Sequence, residues 1–262
     1  MIEEPYRWVE AISNRREYIE HQLEGGSPIA CLGYNGGILF LTLSRERQKI
    51  FEIYDRIAMG AIGHPGDIER LRMAAIEVAS TEGFTRSAQD VSLRRLANYS
   101  LSPALKSAFE QVYGAPYLAR MIFAELGRPN EANHFVRIDY DGSIRSNGGP
   151  LSRIAENFGV ISGTALSTSL MEKFLNERDG SDLGLDGALN LALDAWTVGH
   201  LALGKDAGDG LPSSEAISAH RKEQLATGTI EAAVLERNSG VPITYRSLNR
   251  QDLAAFQTAG SS

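Results

Sequence analysis

The sequence predicts an α+β fold in which two stacked sheets are covered by layers of helices. Its first two strand-like segments flank an Asn-Gly step at positions 35–36, and such a step between apolar runs is the strongest short-range indication of a β-hairpin. These runs are almost continuously apolar, which predicts that both faces of the strands are covered. Helical segments are inserted in pairs between groups of strands, an order typical of sheets flanked by helical layers.

The first element is predicted to be an amphipathic helix over residues 6–24. Trp8, Ile12, Ile19 and Leu23 recur with the helical period, and polar side chains alternate with them. The helix should begin near Pro5 and end at the glycine pair 25–26.

The remaining elements follow in the order strands, helices, strands, helices, strands. Strands are predicted near residues 28–32, 38–43, 50–54, 57–62, 117–123, 135–140, 158–161, 230–235 and 243–246, with a short one reaching residue 145. Helices are predicted over 64–83, 89–113, 164–176, 185–203, 216–225 and 248–256, the second kinked at Pro103, which lacks an amide proton. Without a repeat or a linker, residues 1–262 are predicted to be a single domain.

Composition and charge exclude several classes of partner. The net charge is −7 and the 26 basic residues are scattered, so no basic stripe exists for nucleic acid. The acidic N-terminus is unlike a signal peptide, and no apolar run approaches the roughly 18 residues that a membrane helix needs. A single cysteine, Cys31, gives no sign of an oxidising compartment. We therefore expect a soluble cytoplasmic protein that binds neither nucleic acid nor membrane.

The usual motifs of catalysis and of cofactor binding are missing from the sequence. The five histidines are widely separated and none has metal-ligand spacing, so we expect neither a metal nor a cofactor. No nucleophile elbow, phosphate-binding loop or dinucleotide fingerprint occurs. Cys31 lies within an apolar strand, where a thiol usually serves as a small core residue.

Several blocks of the sequence, in matching order, resemble one protein family. The segment Gln48–Ala58, QKIFEIYDRIA, is similar to a block found in α-type subunits of bacterial, actinobacterial-like proteasomes. So are residues 33–40, GYNGGILF, and residues 140–144, YDGSI. The leading helix, with Arg15-Arg16-Glu17-Tyr18, resembles the extension that α-type subunits have and β-type subunits lack.

The resemblance implies an N-terminal-nucleophile hydrolase fold, a four-layer αββα sandwich, which agrees with the order of elements and would span residues 28–246. It also implies a non-catalytic subunit of a 20S core. Such subunits form seven-membered outer rings with copies of themselves and stack on rings of β subunits. They gate substrate entry and dock a ring-shaped ATPase or another activator. We expect the apolar face of the leading helix to find no partner within the sandwich and to pack against a neighbouring subunit.

Ser27 takes the position of the catalytic threonine of β-type subunits, whose free N-terminal amine acts as the base. Ser27 follows a whole helix, so its nitrogen is not free unless the chain is cut there. The acidic residue expected after the second strand is also missing. Two alternatives stay open, because a peptidase or a small-molecule amidohydrolase of this fold could use Ser27 after processing.

The resemblance assigns docking and gating to other residues. Lys49 matches a lysine that pairs with the C-terminal carboxylate of an activator's hydrophobic-tyrosine-any tail, and Gly63 matches a glycine of the same pocket. The gate would be formed by the residues before the helix: Met1, Ile2, Glu3, Glu4 and Pro5. Residues 205–227 diverge from the family as a charged insertion, and no role is assigned to them.

Overall fold

The chain folds into two five-stranded antiparallel sheets. The computed structural model describes residues 4–44, 47–111, 113–149, 156–178, 180–204 and 208–257. The first sheet has the order β10-β9-β2-β1-β8, with β1 Ile29–Tyr34, β2 Gly37–Ser44, β8 Phe158–Ile161, β9 Thr229–Glu236 and β10 Tyr245–Ser247. The second has the order β3-β4-β5-β6-β7, with β3 Ile50–Tyr54, β4 Ile57–Gly63, β5 Ala119–Glu125, β6 His134–Ile138 and β7 Ile144–Gly148.

Helices cover both sheets. Their bounds are α1 Glu4–Leu23, α2 Pro65–Thr85, α3 Leu93–Leu96, α4 Ser102–Glu110, α5 Ala165–Asn176, α6 Leu185–Leu201, α7 Ser214–Thr227 and α8 Ala254–Gln257. The α5–α6 pair packs on the first sheet, and α2, α3 and α4 pack on the second. This arrangement confirms the predicted α+β sandwich.

Tight packing at Gly37 fixes the hairpin between β1 and β2. Tyr34 pairs with Gly37 across the two-residue turn, as the Asn-Gly step predicts. Gly37 has a φ of +149°, and a Cβ atom there would lie 1.9 Å from the carbonyl oxygen of Leu235 on the neighbouring strand. Only glycine fits at this position without moving β9.

The alternating side chains of β1 explain why its sequence is continuously apolar. Ile29 and Cys31 point into the layer between the sheets, where they meet residues such as Ile122 and Phe135 of the second sheet. Their neighbour Leu32 points the other way, toward helices α5 and α6. Both faces are buried, so no polar position is tolerated along the strand.

Helix α1 packs against its own chain, and here our expectation is wrong. Ile19 and Leu23 are fully buried with Phe109 and Tyr140, and Ile12 packs at the edge of the same cluster. The apolar face of α1, which we expected to lack a partner within the sandwich, therefore packs against the end of α4 and the segment after β6. The N-terminal end of the helix extends beyond this cluster, and Trp8 and Val9 there are 46% and 60% exposed.

A buried arginine fastens α1 to the sandwich. The Arg120 side chain on β5 is 7% exposed and donates from Nη2 to both carboxylate oxygens of Glu20, at 3.1 and 3.2 Å. It also pairs with Asp139 and donates to the Ser162 carbonyl oxygen at 2.8 Å. The Tyr140 hydroxyl donates to Glu20 at 2.7 Å. These contacts set the position of the C-terminal half of α1.

Two of the predicted helices are shorter than expected. Over the stretch 89–113, a 3₁₀ turn at Ala88–Asp90 is followed by one continuous helical segment, in which a π-type turn at Ala97–Leu101 joins α3 to α4. The predicted irregularity at Pro103 takes the form of this π-type turn, which lies directly before the turn that contains the proline. Over 248–256 only the last residues enter α8, because the Asn249 and Asp252 side chains bond nearby amides and stabilise a turn.

The divergent segment 205–227 contributes a helix to the outer layer. Residues 205–207 lie outside the described residues, and α7 accounts for the second half. Ile217 is buried against α6, while Arg221 donates to Asp194 at 2.9 Å and to Asn190 at 2.8 Å. A helix is therefore present where the sequence predicts one over 216–225, and it packs on α6.

Candidate functional site

The structure brings Lys49 and Gly63 to one end of the second sheet. Lys49 directly precedes the edge strand β3, and its carbonyl oxygen accepts a hydrogen bond from the Ala61 amide at 3.0 Å. Gly63 ends β4, two residues after Ala61. The antiparallel pairing of β3 and β4 thus places these two predicted docking residues close together.

Gly63 is a glycine for a steric reason. Its φ is +128°, and a Cβ atom there would lie 2.0 Å from the carbonyl oxygen of Leu118. That carbonyl accepts the amide proton of His64 at 2.7 Å, so it cannot move freely. Gly63 itself is exposed, which leaves its backbone accessible beside Lys49.

Lys49 is a partly buried cation whose charge is influenced by one carboxylate of the other sheet. Burial lowers the pKa of its ammonium group, and the carboxylate of Glu231 acts in the opposite direction. Within the described part of the chain, no carboxylate oxygen lies within the 4.0 Å of Lys49 Nζ that defines an ion pair. An ammonium in such a site favours an anion that comes from outside the chain.

A groove of 540 Å³ runs along the neighbouring edges of the two sheets. Its walls include Ser44, Arg47, Gln48, Glu231, Tyr245 and Ser247. Glu231 on β9 links the two sheets at this edge by accepting hydrogen bonds from the amides of Lys49 and Ile50. The groove therefore borders the segment that carries Lys49.

Sequence analysis did not identify Glu231 as a residue of this site. It is the one charged residue in the apolar run Ile230–Leu235, and a carboxylate within a buried strand needs a partner. Sequence patterns do not show that this partner lies 181 and 182 residues away, at the start of a strand in the other sheet. The isolated charge in the run was the available indication.

Ser27 lies at the start of β1, held by the core rather than prepared for catalysis. Its hydroxyl donates to the Leu43 carbonyl oxygen at 3.2 Å and accepts from Trp196 Nε1 at 3.3 Å. Neither partner is a base, and the Ser27 nitrogen belongs to the peptide bond that follows Gly26. The arrangement lacks the free amine that a nucleophile at this position needs.

The predicted gate residues fall partly within a helix. Glu4 and Pro5 form the first turn of α1, so the helix begins two residues earlier than the predicted start at residue 6. Met1, Ile2 and Glu3 lie outside the described residues. The gate assignment stays a prediction.

The described residues contain neither a cluster suited to a metal ion nor a helix suited to cross a membrane. Across residues 4–257, apart from the gaps given above, no three or more His, Cys, Asp or Glu side chains form a cluster that could hold a metal ion. In the same residues no helix combines the length and the apolar character needed to cross a membrane.

Comparison with known proteins agrees with the resemblance found in the sequence. The family model of the proteasome subunit matches residues 37–195. A proteasome subunit alpha of Kineococcus radiotolerans is 31% identical over 254 residues, 94% of this chain and 93% of that protein. Those of Xylanimonas cellulosilytica and Frankia casuarinae are 31% and 32% identical, each over 86% of this chain and 84% of the relative.

These relatives are all alpha subunits, which are the non-catalytic subunits of a threonine protease complex. They confirm the predicted α type and, with it, the expectation that this chain is not itself the peptidase. The chain therefore belongs to the proteasome subunit family.

Proposed function

We propose that this chain forms the outer rings of a bacterial 20S proteasome core, where it gates the entry of substrates and docks activators. In this function copies of the chain form a seven-membered ring that stacks on rings of β subunits. A ring-shaped ATPase or another activator binds the outer face through its C-terminal tails. The particle degrades proteins in the cytoplasm, with or without ATP.

The observation that carries this proposal is the environment of Lys49. The Lys49 ammonium is partly desolvated, and Glu231 offsets the cost of its burial only from beyond ion-pair distance, so a carboxylate that enters the site lowers the remaining penalty. Arg120, by contrast, is buried with two carboxylates already in contact. The charge of Lys49 beside the exposed backbone of Gly63 suits the carboxylate at the end of a peptide chain.

Assembly into a ring is supported by the free end of α1. Trp8 and Val9 are 46% and 60% exposed, although the same helix buries Ile19 completely. Large apolar side chains at one end of an otherwise anchored helix are suited to packing against a second copy of the chain. The intramolecular anchor fixes where this surface is presented.

The docking function is tested with a peptide that ends in hydrophobic-tyrosine-any and carries a fluorophore at its N-terminus. Its affinity for the assembled core is measured by fluorescence anisotropy for the wild type and for Lys49→Ala. Loss of one partner from a partly buried charge pair should weaken binding by about 2–5 kcal/mol. With a complete activator, several tails bind together and avidity enlarges the difference.

Two controls isolate the charge pair. The same peptide with a C-terminal amide should bind wild type weakly, and its affinity should change little on Lys49→Ala. Lys173→Ala removes an exposed lysine from α5 and should leave the affinity of the carboxylate peptide unchanged. Equal affinity of the carboxylate peptide for wild type and Lys49→Ala would exclude Lys49 from the docking site.

A further inference from the structure

The strand that carries Lys49 is held by a carboxylate from the opposite sheet. Glu231 Oε1 accepts the amide protons of both Lys49 and Ile50, each at 2.8 Å. β3 is the edge of its sheet, so without this carboxylate these two amides would need water or another acceptor. One oxygen of Glu231 therefore fixes the backbone of Lys49 itself.

The second oxygen of Glu231 is left for a longer-range interaction. Within the described part of the chain, Oε2 is buried and has no hydrogen-bond partner. Burial raises the pKa of Glu231, whereas the two amides and the charge of Lys49 stabilise the ionised form. A buried carboxylate of this kind depends on a nearby cation, and Lys49 supplies it.

Lys49 depends on Glu231 in return. Its pKa is lowered by burial, and the carboxylate of Glu231 is the charge that raises it. The other titratable groups that the structure describes at this edge include Tyr245 on β10, Glu52 on β3 and Arg47. Burial raises the pKa of Tyr245, and the charges of Glu231 and Glu52 act in the same direction. A neutral amine would bind a carboxylate poorly, so the charge state of Lys49 matters for docking.

We propose that Glu231 is a positioning residue of the docking site, which fixes the backbone at Lys49 and keeps the Lys49 side chain charged. This inference rests on the docking function proposed above. Because no ion pair closer than 4.0 Å forms between the two side chains, Glu231 supports the charge without occupying the place of the incoming carboxylate. The residue thus acts through Lys49 and has no contact with the activator.

A merely structural role would make Glu231 a clamp between the two sheets and nothing more. The variant Glu231→Gln separates the two possibilities, since its amide oxygen can still accept both backbone protons while its charge is lost. A clamp alone predicts that Lys49 titrates in this variant as in wild type. Our proposal predicts that the titration of Lys49 moves to lower pH.

The titration is measured by brief acetylation of the assembled core across a range of pH, with Lys49 quantified by mass spectrometry. In Glu231→Gln the pH at which labelling of Lys49 is half-maximal should fall by about one unit. Because only the neutral amine reacts, Lys49 should then be acetylated about tenfold faster at pH 8 than in wild type. Lys173 is the internal control and should label alike in both proteins. Thermal melting of the variant verifies that the fold is retained.

Binding of the carboxylate peptide is then followed in the same samples. Affinity is lost as the pH rises through the pKa of Lys49, so the loss should occur about one unit lower in Glu231→Gln than in wild type. Glu231→Ala, which loses the two amide bonds as well, should bind more weakly than Glu231→Gln at every pH.

The possible failures are distinct. Unchanged titration of Lys49 and unchanged peptide affinity in Glu231→Gln would overturn the positioning role and leave docking by Lys49 intact. Full peptide affinity in Lys49→Ala would overturn the docking function and the role of Glu231 in it, even if the titration of Lys49 shifts as expected.

Discussion

Two cations of the second sheet, Arg120 and Lys49, differ at the level of single residues. The guanidinium group of Arg120 forms ion pairs with Glu20 and Asp139 and donates hydrogen bonds to two carbonyl oxygens, so its charge and its N–H groups are satisfied within the chain. Lys49 has one distant carboxylate and a lowered pKa. The first cation is satisfied within the chain, and the second is the one for which we propose a role in docking.

Ser27→Ala tests the one residue at which a peptidase of this fold would carry its nucleophile. The activity of the assembled core should not change, because Ser27 has neither a free amine nor a neighbouring base. Stability should fall by about 1 kcal/mol through loss of the hydrogen bonds with Trp196 and Leu43.

Peptide hydrolysis, urea unfolding and the intact mass of the wild-type chain are the measurements. An intact mass lacking residues 1–26, together with a tenfold fall in activity in an assembled Ser27→Ala core, would contradict the non-catalytic assignment. A tenfold fall corresponds to about 1.4 kcal/mol of barrier.

At the scale of elements, local patterns predict what local forces determine. The Asn-Gly turn fixes the register of β1 and β2, and the helical period gives α1 to within two residues. The intramolecular partner of α1 could not be predicted, because Phe109 and Tyr140 become a surface for Ile19 only after α4 and β6 have folded. The Arg120–Glu20 contact likewise joins residues 100 positions apart.

The exposed end of α1 leads to a prediction about assembly. Changing Trp8 and Val9 together to Ser should leave the monomer folded, since neither side chain is buried, and should shift the distribution from rings to smaller species. Ile19 is unsuitable for this test because it is fully buried and its replacement would detach the helix.

Native mass spectrometry measures the distribution of rings and smaller species. Val241→Ser is the matched control, because Val241 is as exposed as Val9 but lies in the loop between β9 and β10. Full rings formed by the double variant would show that this end of α1 takes no part in assembly.

On the scale of the whole molecule, the functional candidates collect at one end of the sandwich. The antiparallel pairing places the start of β1, the end of β2 and the start of β9 together in the first sheet, and Glu231 joins this end to Lys49 in the second. The turn after α1 lies here too, since the amide of Gly163 donates to the Gly26 carbonyl oxygen at 3.0 Å. The hairpin tip at residues 35–36 lies at the opposite end of β1 and β2.

The resemblance to the family predicted Lys49 within the block 48–58 and Gly63 just after the next strand, and the pairing of β3 with β4 places the two close together. Glu231 was not predicted, because no local sequence pattern indicates a contact between residues 181 and 182 positions apart in two different sheets. Most of the site was therefore predictable from neighbours along the chain, and the missing residue is the one that depends on how the sheets stack.

The last prediction separates the gate from the docking site. Deleting residues 1–3, which precede α1, or residues 1–5, which include its first two residues, should raise hydrolysis of a long unfolded protein by the assembled core. Hydrolysis of a short peptide should change little, because such a peptide already passes the entrance. The measurement is the ratio of the two initial rates without activator.

The carboxylate peptide should bind both deletion variants as it binds wild type, since Lys49 and Gly63 are anchored by β3 and β4. A ratio unchanged by both deletions would show that the residues before the helix do not obstruct entry, whereas a raised ratio with weakened peptide binding would show that gate and docking site are not independent.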